Sequence, residues 1–325
     1  MPIATDELSI NAMGGSELMK WGLRDRLGEE FLDPFQIIMS RARELDDKKV
    51  RVFWLQDLPE DPESKHLSNE GWLPYHVIVY NSHWQMNRYQ LFHGIPPSRS
   101  TVLLNAIDPI PYVEKPKDKI RLVYTSTPHR GLEILVPVFN KLCEKYDNIE
   151  LDVFSSFKIY GWEERDAAYK QLFDVCKSHP KINYHGSVPN AQIREALQKA
   201  HIFAYPSIWM ETSCIALMEA MSAGLLCVHS NLAALPETAA NWTNMYGFHE
   251  DKQTHAALFY NVLDASIQTV IDGSYINKVQ HQKQYVDAFY SWETRLPQWR
   301  ALLDSIRDRP TAIEKPVKKF VYKTI

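Results

Sequence analysis

The chain lacks several things, and each absence closes off a class of function. It has only four cysteines in 325 residues (Cys143, Cys176, Cys214 and Cys227). None forms a CxxC pair or keeps metal-ligand spacing, so reduced, buried thiols are expected rather than a disulfide framework or a zinc site. No acidic cluster points to a bound metal. No stretch approaches the roughly 18 apolar residues of a membrane span, and no apolar signal core opens the chain. The expected compartment is the cytoplasm, with at most peripheral membrane contact. The sequon Asn241-Trp242-Thr243 is read as chance in that setting. The formal net charge of -4 gives no general attraction for polyanions, and no basic stripe interleaved with aromatics argues for a nucleic-acid partner. Internal repeats and low-complexity tracts are absent too, which excludes solenoids.

What is present reads as an ordinary globular composition, with 45% apolar and 23% charged residues. A chain of 325 residues outgrows one hydrophobic core, so two domains are the default. Short β-branched or aromatic runs alternate with longer helical patterns, the signature of stacked βαβ units. Strands are predicted at Val50–Leu55, His76–Tyr80 and Ser100–Leu104, then at Ile120–Tyr124, Leu151–Phe154, Ile182–Tyr184, Ile202–Tyr205 and Leu226–His229. Runs apolar on both faces suit parallel strands covered by helices. Helices are predicted at Ser16–Leu27, Phe35–Leu45, Leu132–Lys145, Glu163–Ser178, Ala191–Lys199 and Ser213–Ser222. The aperiodic stretch Asp108–Lys119, with Pro109, Pro111 and Pro116, reads as an interdomain linker. Either Met1–Ile10 supplies an opening strand or the first sheet is trimmed. The tail Arg309–Ile325, rich in lysine and proline, reads as a mobile or loosely docked extension.

The most informative segment runs from Tyr205 to Gly224, YPSIWMETSCIALMEAMSAG. A strand ends at Tyr205, a proline-bearing loop follows, and a helix is predicted to begin near Thr212 or Ser213, both good N-caps. Gly224 suits the helix C-terminus. Loops running from the carboxyl end of a strand into a helix are where open α/β sheets bind ligands, and free N–H groups there favour a phosphate. Glu211 lies in that loop and Glu219 eight residues on inside the helix. Ala216, Ala220 and Ala223 flank Glu219 at helical spacing and are predicted to leave a face that a ligand can approach. Two carboxylates at a helix mouth suit sugar hydroxyls. On spacing alone, two solvated glutamates are the competing reading.

This segment, Glu, seven residues, Glu, then Ala220-Met221-Ser222-Ala223-Gly224, resembles the donor motif of retaining, family-4 type glycosyltransferases of the GT-B fold (glycosyl transferases group 1). The resemblance implies two Rossmann-like domains with parallel sheets facing a central cleft, and a C-terminal helix crossing back to the first domain. The domains are then 1–110 and 119–280, with the return helix at 281–308 and the tail at 309–325. It further implies that Glu211 contacts the transferred sugar and Glu219 the ribose, with Thr212, Ser213, Cys214 and Ile215 lining the donor at the helix mouth. Val228-His229-Ser230 through Leu235-Pro236-Glu237 resembles the family's continuation. Asn11 to Glu17, with Gly14-Gly15, is similar to its N-terminal glycine loop, where two glycines let a backbone come close to phosphate or sugar. Asn105-Ala106-Ile107-Asp108 resembles the end of the family's first domain, with alanine in place of glycine.

Thr125 to Leu132 resembles the diphosphate loop. Arg130 stands where the family has a lysine, and Thr125 where it has an arginine, so one cation of the usual pair is missing. Arg130, Ser126 and Thr127 are the groups left to hold a diphosphate. His185-Gly186-Ser187-Val188 resembles the turn bordering the nucleobase, which brings Gly186 and Ser187 into the candidate set. Asp57 follows a strand of the first half and is placed to meet substrate or to cap a turn; Ser82 and His83 are lesser candidates. Trp292 and Trp299 read as packing residues of the late helix. The implied activity is transfer from a UDP- or GDP-sugar to a glycan, lipid-linked or small-molecule acceptor, with no metal and no tightly bound cofactor. The competing readings are a catalytically inactive sugar-nucleotide-binding module and another GT-B enzyme such as an epimerase.

Overall fold

The computed structural model describes residues 14–315, and the proposed opening strand at Met1–Ile10 lies outside them. The described chain divides into two compact units. The first comprises residues 20–104 and 296–315, the second 14–19 and 105–295.

The first unit holds four parallel strands, β1 (Phe35–Met39), β2 (Val50–Trp54), β3 (Val77–Tyr80) and β4 (Ser100–Val102), in the order β1-β2-β3-β4. β2 and β3 are buried at every position, as central strands covered on both faces must be. The helices α2 (Glu29–Leu32) and α3 (His83–His93) belong to this unit, and α1 (Gly15–Leu27) starts in the second unit and runs into it. Ser82 caps α3, its Oγ accepting from the Gln85 amide at 3.0 Å, which is a structural task; His83 is exposed. Phe53, Tyr75, Ile78, Tyr80 and Tyr89 centre the core.

Two expectations fail here. The helix predicted over Phe35–Leu45 is the edge strand β1. Phe35, Ile38 and Met39 sit at helical spacing by coincidence, and the pairing Phe35↔Val50 to Met39↔Trp54 overrides that pattern. Ser40, at φ 54, ends the strand, and its Oγ accepts from the amides of Gln56 and Asp57 at 2.7 and 3.3 Å. The described part of the tail, 309–315, is also more firmly held than predicted, the rest lying outside the described residues. Arg51, 1% exposed, donates to the carbonyls of Thr311 and Ala312 at 2.8 and 3.3 Å. His76 Nε2 meets the Pro310 carbonyl at 2.9 Å, and Arg99 grips Glu314 at 2.7 and 2.9 Å. Polar contacts fix this strap without apolar burial.

The second unit is a six-stranded parallel sheet in the order β10-β9-β8-β5-β6-β7. Its strands are β5 (Ile120–Thr125), β6 (Ile149–Phe154), β7 (Ile182–Tyr184), β8 (Ile202–Tyr205), β9 (Leu226–Ser230) and β10 (Asn244–Tyr246). Its helices are α4 (Leu132–Cys143), α5 (Lys170–Ser178), α6 (Asn190–Lys199), α7 (Ile215–Ser222), α8 (Leu235–Ala239), α9 (Lys252–Asp272) and α10 (Ile276–Tyr290). α11 (Trp292–Ile306) begins in this unit and ends in the first, where Trp299 packs on Trp54 at 4.5 Å. The short edge strand β10 escaped prediction, and the helix predicted from Glu163 starts as a 3-10 stretch and becomes α5 only at Lys170. The order is the doubly wound one, with the strand sequence reversing between β5 and β8. Ligands of such sheets bind beyond the carboxyl ends of the strands at that reversal.

Asp108–Lys119 is bound along its length to the second unit. The Ile110 amide donates to Ser222 Oγ at 2.8 Å, and Lys115 Nζ donates to the carbonyls of Leu197, Gln198 and Ala223 at 3.2, 2.9 and 2.8 Å. Among the described residues, no helix is long and apolar enough to cross a membrane. All four cysteines are free thiols, Cys143 half-buried and the others buried.

Candidate functional site

The reversal point of the second sheet is flanked by the loop after β5, Ser126–Gly131, and the loop after β8, Pro206–Cys214. The two are packed backbone to backbone. Gly131 has φ 128, and a Cβ there would lie 2.2 Å from the Pro206 carbonyl oxygen, so only glycine fits. This contact brings Arg130 beside Glu211. Arg130 Nη1 donates to Glu211 Oε1 at 2.8 Å, and its Nη2 to the Tyr160 hydroxyl at 3.2 Å. The Tyr205 hydroxyl donates to the same Glu211 oxygen, and the Glu211 carbonyl accepts from the Ala234 amide at 3.1 Å. Glu211 is 6% exposed, a burial that a carboxylate tolerates only with such partners. Burial works against the charge on Arg130, and Glu211, Tyr160 and Tyr205 outweigh it, so the guanidinium is held charged.

Around this pair several buried polar atoms have no hydrogen-bond partner: Thr125 Oγ1, Thr127 Oγ1, His129 Nδ1, Arg130 Nε, Ser155 Oγ and Ser213 Oγ. They belong to the carboxyl ends of β5 and β6 and to the approach to α7. Folded proteins rarely leave buried donors and acceptors unmatched, and a group of them at a sheet's reversal point is what a polar ligand would satisfy. His129 stacks on Phe157 at 5.2 Å and meets Trp209 edge-on at 4.7 Å. Burial, then Arg130 and Arg165, push its pKa down to about 4.

Of the other predicted residues, Ser126 and Thr127 sit in this loop, where the Thr127 carbonyl accepts from the Tyr124 hydroxyl at 2.8 Å. The helix starts later than predicted. Cys214 is the N-cap of α7, without a side-chain cap bond, while Thr212 and Ser213 remain in the loop. Gly14 and Gly15 meet the same region: a Cβ on Gly14 would lie 2.7 Å from Tyr160 Cε1, and one on Gly15 3.2 Å from Ile215 Cδ1. Gly186 adopts φ 66 in the turn after β7, Ser187 is exposed, and His185 stacks on Phe154 at 4.3 Å.

Glu219 lies on α7, 7% exposed. Its Oε1 accepts from Arg194 Nη1 at 2.9 Å, and Asn190 Nδ2 approaches its two oxygens at 3.4 and 3.3 Å. Of the alanine face predicted beside it, Ala220 and Ala223 are fully buried in the core, while Ala216 is half-buried. Asp57 belongs to the first unit, in the loop after β2, where its carbonyl accepts from Gln85 Nε2 at 2.8 Å and the Tyr89 hydroxyl at 3.3 Å. Sequence reasoning missed Tyr160, Tyr205, Asn190 and Arg194. For the last two a faint signal existed, because residues four apart share one helix face. Among the described residues, no three His, Cys, Asp or Glu side chains gather as a metal ion would require.

Residues 110–265 match the family model described as Glycosyl transferases group 1. A phosphatidylinositol N-acetylglucosaminyltransferase subunit of Arabidopsis thaliana is 28% identical over 166 residues, 48% of this chain and 35% of the relative. The gpi3 subunit of the enzyme of that name from Schizosaccharomyces pombe is 23% identical over 240 residues, 71% of this chain and 49% of the relative. The matches therefore span half or less of these relatives' length. A glycosyltransferase from Rickettsia africae superposes with a TM-score of 0.68 at 13% identity, covering 94% of this chain and 85% of that one. Anabaena HepE in complex with UDP-glucose superposes with a TM-score of 0.63 at 14% identity, covering 79% and 73%. Residues 110–265 are thus similar to the glycosyl transferases group 1 family, and the fold is the GT-B fold of glycosyltransferases.

Proposed function

We propose that this chain moves a sugar from a nucleotide-sugar donor to an acceptor hydroxyl, with retention at the anomeric carbon and without a metal ion. The observation that carries the reading is the Arg130–Glu211 pair at the sheet's reversal point, ringed by buried polar atoms that lack partners. In this reading Arg130, the hydroxyls of Ser126, Thr127 and Ser213, and the amino end of α7 stabilise the diphosphate as it departs. Glu211 orients the transferred sugar, Glu219 takes the ribose hydroxyls, and the Gly186-Ser187 turn borders the base. The acceptor oxygen attacks from the face on which the carbon–phosphate-oxygen bond breaks, and its proton passes to the departing diphosphate. Asp57 is the first unit's candidate for handling the acceptor.

Relatives named for phosphatidylinositol and N-acetylglucosamine, and fold neighbours solved with UDP or UDP-glucose, support UDP-N-acetylglucosamine as the first donor to try and a lipid-linked acceptor. Action from the cytoplasm on a membrane-borne acceptor, within an assembly of several proteins, is part of the same proposal. A second reading, an inactive sugar-nucleotide-binding module, is favoured by the neutralisation of Arg130 by Glu211. A panel of UDP- and GDP-sugars screened by thermal shift, followed by NMR of the released sugar or transfer product in the presence of EDTA, separates the two. Product with the donor's anomeric configuration supports the transferase; binding without turnover supports the module.

A further inference from the structure

We propose that Arg194 is a positioning residue for ribose recognition, holding the Glu219 carboxylate ionised and turned so that one oxygen stays available to the ribose hydroxyls. The proposal rests on the reading of Glu219 given above and extends it to a residue on another helix.

Arg194 is anchored at both tines of its guanidinium. Nη1 donates to Glu219 Oε1 at 2.9 Å, and Nη2 donates to the carbonyls of Asp108 and Pro109 at 2.8 and 3.3 Å. Such a fork fixes direction as well as charge. It commits one carboxylate oxygen, while Oε2 has, among the described residues, only the long 3.3 Å contact from Asn190. A ribose offers two adjacent hydroxyl donors, and an ionised carboxylate accepts without donating. Burial is the largest influence on the Glu219 carboxyl and holds it above the usual carboxylate range, while the Arg194 bond and charge oppose this, with a smaller contribution from Asn190. The remaining charged neighbour, Asp108, acts in the same upward direction as burial. Among the described residues, Arg194 is therefore the charge facing Glu219 that keeps it an acceptor. Asn190 and Arg194 lie four residues apart on α6, so one helix face supplies both contacts.

The test compares UDP with 2′-deoxy-UDP by calorimetry at pH 6 and pH 8, on wild type, Arg194→Gln and Arg194→Lys, with melting temperatures recorded for each. Taking the ratio of the two affinities cancels ionisation of the phosphates. The wild type is expected to prefer UDP by about tenfold or more, the worth of one hydrogen bond to a charged group. Arg194→Gln should lose most of that preference, more completely at pH 6 than at pH 8, with little change in 2′-deoxy-UDP binding. Arg194→Lys, charged but without the fork, should fall between. A folded Arg194→Gln protein with the wild-type ratio at both pH values overturns the proposal. Should that variant fail to fold, a wild-type ratio in Arg194→Lys overturns the directional part. A wild type that binds no nucleoside diphosphate overturns the functional reading itself, and this inference with it.

Discussion

At the scale of single residues, the molecule turns on two charge pairs formed between neighbouring loops or helices. Arg130–Glu211 and Arg194–Glu219 each place a guanidinium on a buried carboxylate at 2.8 and 2.9 Å. Removing one partner of such a pair leaves an uncompensated buried charge, at a cost of about 3–5 kcal/mol. Arg130→Ala is therefore expected to lower both stability and, by about a hundredfold or more, turnover. Adding Glu211→Gln should return part of the stability and none of the turnover, because the neutral amide no longer demands a counter-charge. Urea unfolding and initial rates on the two single variants and the double variant check this. Equal stability in the wild type and Arg130→Ala would show that the pair is not coupled. The glutamates and Arg130 could be picked out from the sequence because their motif is local. Their partner Tyr160 could not, and Arg194 only faintly through its spacing from Asn190, because those contacts depend on how the loop after β6 and helix α6 pack.

At the scale of elements, the parallel strands were legible where apolar runs are buried on both faces, as in β2, β3, β8 and β9. Of the four edge strands, β4 and β7 were legible and β1 and β10 were not. Phe35–Met39 carries a spacing that a helix would share, and only its register with Val50–Trp54 decides for a strand. β10, at Asn244–Tyr246, is too short to leave a pattern. The proline-bearing stretch after Asp108 looked like a free linker because its anchoring is made by distant groups. Lys115, 5% exposed, donates to carbonyls at the ends of both α6 and α7, where the helix dipoles favour a cation. Lys115→Met keeps most of the side chain's volume and removes all three bonds. It is expected to cost about 2–4 kcal/mol by leaving buried carbonyls unmatched, read as a lower urea midpoint with an unchanged slope. No change in midpoint would mean that water satisfies those carbonyls equally well.

At the scale of the whole molecule, the same device secures the start of a strand in each unit. His76, just before β3, accepts the Arg51 amide on Nδ1 at 2.9 Å, and His201, just before β8, accepts the Arg121 amide at 3.1 Å. Both rings must stay neutral to accept. Burial pushes His76 down, and holds His201 and the fully buried His229 at about 4. Because the unfolded chain takes up these protons first, near pH 6.5, the stability they provide is complete above that value. It is lost as pH falls from about 6.5 toward 4, at up to about 1.4 kcal/mol per pH unit for each histidine. Urea midpoints measured from pH 7 to 4.5 should fall steadily, and a flat profile would contradict the assignment of neutral rings.

In the proposed reading, donor recognition by the molecule as a whole comes down to the division of labour between the two glutamates of the second unit. Calorimetric titration of UDP into the wild type, Glu219→Ala and Glu211→Gln tests it most directly. Glu219→Ala should weaken binding by about 1.5–3 kcal/mol, the worth of hydrogen bonds to a charged group. Glu211→Gln, which frees Arg130 from its partner, should bind UDP at least as tightly as the wild type. If Glu219→Ala binds UDP as the wild type does, or if Glu211→Gln is the variant that loses the nucleotide, the assignment of the donor site is contradicted.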